Sequence, residues 1–220
     1  MTTLIMSENR PQQIADGIKK LTVRPKKDGD RLVPHSRTGS GFAVTDGKGY
    51  TRWQVEKLYG IKPKRTHPVC LVDRQGKVVT DYHDILYTLT LYDDIVYELT
   101  MKQARDVMLN ANNEYRLLRV KLLDIKAYDV RQMNGAEAAA EGFGGPDGDG
   151  VVGYWEWWCK TYDPVVLKDK AVIEHHAAYN AGHCSWEQYY VLLEGRVFNR
   201  PDKLYEGWQL QFERYLNGDG

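Results

Sequence analysis

The sequence predicts an α+β fold with antiparallel strands in the middle of the chain and helices flanking them. Three observations carry this. Strand-like runs gather between about residues 69 and 130, helix-start signals lie on both sides of them, and no regular alternation of strand and helix of the βαβ kind is present. With 220 residues, 42% of them hydrophobic and 27% charged, the chain has the composition of an ordinary globular protein.

Taken in order, residues 1–9 read as a frayed terminus. Asn9 and Pro11 open a helix on which Ile14, Ile18 and Leu21 recur at helical spacing. The stretch TVRPKKDGDRLVPHSRTGS, from Thr22 to Ser40, is rich in Pro, Gly, Ser and cations and has almost no apolar period. It is expected to be an arm or mobile loop. Residues 1–40 therefore form a basic N-terminal helix and flexible arm, and residues 41–220 a single α+β domain. Thr51 with Gln54 makes a capping box, so a short helix is expected to run to Gly60. Residues 61–68 hold Pro63 and Pro68 and are expected to be irregular.

Val69–Asp73 and Lys77–Thr80 form a hairpin across Arg74-Gln75-Gly76. Tyr87–Tyr92 alternates at period two, with Ile95–Leu99 as its partner, although Ile85, Leu89 and Tyr92 also suit a helix. Thr100 and Gln103 open a helix that runs to about Leu109. Tyr115–Val130 is a long strand whose alternation slips phase near Leu122-Leu123, where a bulge is expected. Residues 131–150 are rich in Gly, Ala and acid and predict a mobile surface loop. Val151–Tyr162, with Trp155, Trp157 and Trp158, is expected to be a strand. Asp163-Pro164 and Ser185 with Gln188 start helices, the second ending at Gly195. Leu204, Trp208, Phe212 and Tyr215 form the stripe of a last helix, closed by Gly218.

Composition narrows the functional classes. No apolar run approaches the roughly 20 residues needed to span a bilayer, and the first residues lack the pattern of a secretory signal. Cys70, Cys159 and Cys184 are sparse and odd in number, which points to a reducing, cytoplasmic compartment. The net charge is zero, yet residues 1–78 carry 16 Lys plus Arg against 7 Asp plus Glu, a net of +9, and the remainder carries −9. Such asymmetry marks a polyanion-binding region, and the acidic remainder requires that region to be local.

The segment KGYTRWQVEKLYGIKPKRTHP, Lys48 to Pro68, interleaves Lys48, Arg52, Lys57, Lys62, Lys64 and Arg65 with Tyr50, Trp53 and Tyr59. Cations neutralise phosphates and exposed rings stack on unpaired bases, so this pattern suits single-stranded nucleic acid. Lys19, Lys20, Arg24, Lys26, Lys27, Arg31 and Arg37 extend the positive stretch upstream. The alternative is a solvated face with Trp53 and Tyr59 buried. Duplex reading is disfavoured, because no helix presents several base-reading side chains on one face.

Other chemistry is weaker. Glu174-His175-His176 and His183-Cys184 are metal-ligand types, but adjacent histidines on a helix point about 100° apart and the spacing fits no standard site. The run from Gly142 to Gly150 lacks the Lys-Ser/Thr of a phosphate loop, and Asp147-Gly148-Asp149 lacks a loop-closing Glu. No nucleophile motif is present. The sequence therefore predicts no catalytic residue, no metal site and no cofactor.

The segment KGYTRWQVEKLYGIKPKRTHP, with the Pro-Lys-Lys arm before it and the Gly-Asp loop after the long strand, resembles in size and character the single-stranded-DNA-binding RNA polymerase cofactor of N4-like phages. The resemblance implies a non-enzymatic protein whose fold is not an OB-fold. It implies DNA and a phage RNA polymerase as partners, in the cytoplasm of an infected bacterial cell. It transfers a role and no residue set. Several apolar stripes on short helices also predict a homo-oligomer. The alternatives are a metal-dependent nuclease built from scattered carboxylates, and a protein–protein adaptor or inhibitor of a host factor.

Overall fold

The computed structural model describes residues 3–6, 10–35, 41–63, 71–73, 75–78, 115–144 and 149–215. The expected strands of residues 87–99 and the helix from Thr100 lie outside them. The protein is α+β: β1 (Thr3–Met6), α1 (Arg10–Ala15), β2 (Leu21–Pro25), β3 (Arg31–His35), β4 (Gly41–Thr45), β5 (Thr51–Gln54), β6 (Leu58–Pro63), β7 (Leu71–Asp73), β8 (Tyr115–Leu117) and β9 (Arg119–Asp129) are followed by α2 (Gly135–Ala140), α3 (Asp149–Tyr162), α4 (Lys170–Asn180), α5 (Trp186–Phe198) and β10 (Glu206–Tyr215). β6 lies between β1 and the start of β9, β10 pairs with β2, β3-β4-β5 form a three-stranded sheet, and β7 pairs with β8. The boundaries do not follow residue 40. The chain forms two compact units, one of Met1–Ile18, Glu56–Leu122 and Phe212–Gly220, the other of Lys19–Val55 and Leu123–Gln211.

In the first unit β1 runs parallel to β6, with Thr3 opposite Gly60 and Met6 opposite Pro63. The first residues of β9 run antiparallel to β6, with Tyr59 opposite Val120. Leu4, Met6, Ile14, Tyr59, Ile61, Leu118, Val120, Leu122 and Phe212 are buried. The expected hairpin after Val69 is present in its described part: Asp73 N–H donates to Lys77 O (3.0 Å), Val72 bridges Val78, and Gly76 turns the chain at φ 82°. Residues 3–6, expected to fray, form β1 instead, because Leu4 and Met6 find cover.

In the second unit β10 pairs with β2 antiparallel, from Gly207 opposite Pro25 to Gln211 opposite Leu21. The helices surround a core of Val23, Tyr154, Trp155, Trp158, Tyr189, Leu193, Val197 and Tyr205. The expected phase slip in β9 shows in burial: Val120 and Leu122 are buried two apart, then Ile125 three further on.

Five expectations are corrected. Residues 22–40 were expected as an arm, but Leu21–Pro25 and Arg31–His35 are strands, the first with Leu21, Thr22 and Val23 buried. The helix expected from Thr51 is β5 and β6 joined by a tight turn in which Glu56 has φ 66°. Thr51 and Gln54 have the spacing of a capping box, but Trp53 and Val55 alternate inward, and burial of that alternation outweighs a local cap. The loop expected at 131–150 contains α2, closed by a capping box in which Asn134 and Glu137 bond each other's backbone N–H. Val151–Tyr162 is helix, not strand: Val151, Val152, Tyr154, Trp155, Trp158 and Cys159 are buried at steps of three and four. The indoles satisfy their donors, Trp155 Nε1 to Val130 O (3.1 Å) and Trp158 Nε1 to Leu204 O (3.1 Å). Residues 206–215 are β10, with Trp208, Leu210 and Phe212 buried at period two.

Helix ends differ in detail. Asp163 does not start a helix; it is buried and bonded by Arg200 Nε (2.7 Å) and Nη2 (2.9 Å) and by Tyr205 Oη (3.1 Å). Asp169 caps α4 instead. The capping box of Ser185 and Gln188 is present, and α5 continues past Gly195 to Phe198. Among the described residues no helix is long and apolar enough to cross a membrane.

Burial pushes the Cys159 thiol up to about 11, and the neighbouring Tyr205 hydroxyl only partly offsets it. The thiolate is the reactive form. A thiol reagent near about pH 8, where an ordinary cysteine is partly ionised, will modify Cys159 only after denaturation, whereas half-buried Cys184 reacts in the folded protein. Mapping of labelled peptides by mass spectrometry reads this; labelling of Cys159 at the rate of Cys184 would contradict the packing.

Candidate nucleic-acid interface

Two turns of the second unit meet at one end of the sheet β3-β4-β5. The chain leaves β2 through Lys26-Lys27-Asp28-Gly29 and enters β3. It leaves β4 through Asp46-Gly47-Lys48-Gly49 and enters β5. In the second turn Asp46 Oδ1 accepts the N–H groups of Lys48 and Tyr50, both at 2.9 Å. In the first, Lys27 N–H donates to Asp30 Oδ2 (3.0 Å). The turns touch through backbone: Gly29 has φ 85°, and a Cβ on it would stand 2.8 Å from Gly47 Cα. Only glycine fits there.

Asp30 anchors this corner from beneath. It is buried, and its Oδ2 also accepts Trp208 Nε1 (3.2 Å) and pairs with Arg52 Nη1. The Arg52 guanidinium in turn lies 4.4 Å from the ring centroid of Trp53. Above this anchor Lys27, Arg31, Lys48 and Tyr50 are exposed, Tyr50 to 71%. Asp28 is exposed among them, and Lys26 pairs with Glu206 at 2.8 Å, so the positive charge of the corner rests mainly on Lys27, Arg31 and Lys48.

The expected site residues divide. Lys20, Lys26, Lys27, Arg31, Lys48 and Tyr50 are exposed in the second unit, and Arg24 on β2 is half-buried. Lys19 is a correction. Its ammonium is buried and donates to Leu21 O (2.9 Å), Glu141 O (2.8 Å) and Glu141 Oε2 (2.5 Å), so it is structural. Trp53 and Tyr59 are corrections too. Trp53 is 9% exposed and Tyr59 fully buried, so neither ring offers a face for stacking. Arg52 is committed to Asp30. Lys57 and Tyr59 belong to the first unit, where the Lys57 ammonium lies 5.8 Å from the Tyr59 ring, and Lys62 sits in β6 of the same unit. Arg37, Lys64 and Arg65 lie outside the described residues.

The sequence pattern did not single out Asp30 or Phe42. The Asp-Gly-Asp turn signal at residues 28–30 was available for the first. Phe42 is 45% exposed on β4, where neighbouring Ala43 and Val44 are both buried, so no clean alternation marks it in the sequence.

The weaker chemistries are also placed. His175 Nδ1 is 3.0 Å from Ala171 O, Cys184 Sγ donates to His175 O (3.6 Å), and His176 Nε2 is 3.3 Å from Glu156 Oε1. Among the described residues no three His, Cys, Asp or Glu side chains are grouped to hold a metal ion. Compared with protein-family models, curated proteins and solved structures, the chain gives no match.

The difference between the two adjacent lysines is measurable. Lys19→Ala leaves Glu141 buried without its charge partner and is expected to cost about 3–5 kcal/mol. Lys20→Ala, at an exposed position, is expected to stay within about 0.5 kcal/mol of wild type. Urea unfolding of both variants checks this; equal midpoints would remove Lys19 from the core.

Proposed function

We propose that the chain binds single-stranded DNA and that the corner of Lys27, Arg31, Lys48 and Tyr50 is its contact surface. The observation that carries this is a tyrosine ring 71% exposed on a bonded turn, with exposed lysines on that turn and on the one it touches. A ring held in water beside cations is the arrangement an unpaired base and its phosphates require, and the turn fixes it before binding. The surface is small, so affinity for long strands gains from several copies on one strand, in keeping with a homo-oligomer. The role that fits the resemblance to the N4-like phage cofactor is non-enzymatic. The chain would hold melted DNA for a phage RNA polymerase in the cytoplasm of an infected cell.

The test is fluorescence anisotropy with a labelled single strand and its duplex, at about 50 and 200 mM salt. Binding is expected to favour the single strand and to weaken with salt. Lys27→Ala with Lys48→Ala should reduce the slope of log K against log salt by about 1.4, at roughly 0.7 per phosphate contact on a single strand. Tyr50→Ala should cost on the order of 1–3 kcal/mol of binding with unchanged thermal melting. The strand should stay intact with Mg²⁺ or Mn²⁺; cleavage would favour the nuclease reading instead. Wild-type affinity in both variants would remove the corner as the site.

A further inference from the structure

Resting on that reading, we infer that Asp28 is the specificity-determining residue of the corner, and that the strand it selects carries guanine. Asp28 lies between Lys27 and Gly29 in the turn before β3. Asp30 N–H donates to Lys27 O (2.9 Å), Gly29 has φ 85°, and among the described residues Glu56 is the one non-glycine with positive φ. This is a type II turn with Asp28 at its second position, which favours proline and has no use for a carboxylate. Of the three carboxylates in the two touching turns, Asp46 and Asp30 accept N–H groups of their own turns. Asp28 is exposed, and among the described residues its carboxylate takes part in no hydrogen bond or ion pair, although Lys27 precedes it and Arg31 and Lys48 share the corner. Its backbone belongs to the contact between the turns: Asp28 O lies 3.9 Å from where a Cβ on Gly47 would stand, and Lys48 and Tyr50 follow directly on that second turn.

A carboxylate among these cations weakens their attraction for any phosphate chain. An ionised carboxylate accepts hydrogen bonds and donates none, so it favours a strand only where the strand offers donors. Inside a DNA strand the phosphates and deoxyribose carry no N–H or O–H, and the donors are on the base edges. Thymine has one, N3–H, set between two carbonyls that repel an anion. Cytosine and adenine each have an amino group beside a ring-nitrogen acceptor. Guanine sets N1–H and the N2 amino group side by side, which matches both oxygens of a carboxylate in a bidentate pair. A base stacked on Tyr50 keeps its Watson–Crick edge open to a neighbouring side chain, and Asp28 is the uncommitted carboxylate of the adjoining turn.

The experiment compares labelled strands of about twelve nucleotides by fluorescence anisotropy. The first is oligothymidylate, the second carries guanine at about every third position, and in the third hypoxanthine, which lacks the N2 amino group, replaces the guanine. Wild type is expected to bind the guanine strand about tenfold more tightly than oligothymidylate, with the hypoxanthine strand between them. Asp28→Asn keeps the shape but removes the charge and one acceptor. It should bind oligothymidylate more tightly than wild type does, lose the guanine preference and melt at the wild-type temperature. Tyr50→Ala is expected to weaken all three strands. Equal wild-type affinity for the guanine and thymine strands, or a guanine preference that survives in Asp28→Asn, would overturn the inference while leaving the Tyr50 corner standing. A lower melting temperature in Asp28→Asn would also overturn it and return the carboxylate to the turn. Wild type binding none of the strands would sink the underlying reading itself.

Discussion

The buried carboxylate of Asp30 is the constraint on which the exposed corner depends. A charge taken out of water costs several kcal/mol unless donors surround it. Here a turn N–H, an indole N–H and a guanidinium converge on one of its oxygens. These bonds to Oδ2 tie together the turn before β3, the Arg52 side chain on β5 and the Trp208 side chain on β10. The turn before β3 also meets the turn before β5 at Gly29 and Gly47, and that second turn is held by Asp46. Lys48 and Tyr50 are then held on a preset backbone.

The same logic explains why some cations of the basic stretch serve the fold. Lys19 meets Glu141 where Thr22 Oγ1 also bonds the carboxylate (3.2 Å), so β2 is tied to the end of α2 by a buried pair. Arg200 holds Asp163 in two bonds, and Tyr205 adds a third, which joins the end of α3 to the segment after α5. Buried pairs of this kind specify geometry more than they add net stability. They also consume charge, which is why a count of lysines and arginines overstates the surface left for a polyanion. What remains exposed is a local patch, consistent with a chain of zero net charge.

Legibility in the sequence followed the range of the interaction. Features set by neighbours in the chain were readable: the capping box of Ser185 and Gln188, the turn through Gly76, the phase slip in β9 and the helix at Pro11. Features set by what lies across the fold were not. Trp155, Trp157 and Trp158 suit strand by propensity, yet packing against α2 and α5 favours a helix that buries two of the three. Leu204 to Tyr215 suits two periods, and pairing with β2 selects the strand.

The sequence by itself determined the α+β class, the positive bias of the first 78 residues and the presence of a basic, aromatic-bearing stretch. These depend on composition and local order alone. Only the tertiary structure decided which members of that stretch face water. Trp53 and Tyr50 stand three residues apart with similar rings and similar neighbours, yet one is 9% exposed and the other 71%. The physical reason is that burial belongs to the partner surface and not to the residue. Trp53 lies opposite buried Val44 and packs against the same cover, while Tyr50 follows the turn held by Asp46, where its ring stays exposed among the described residues.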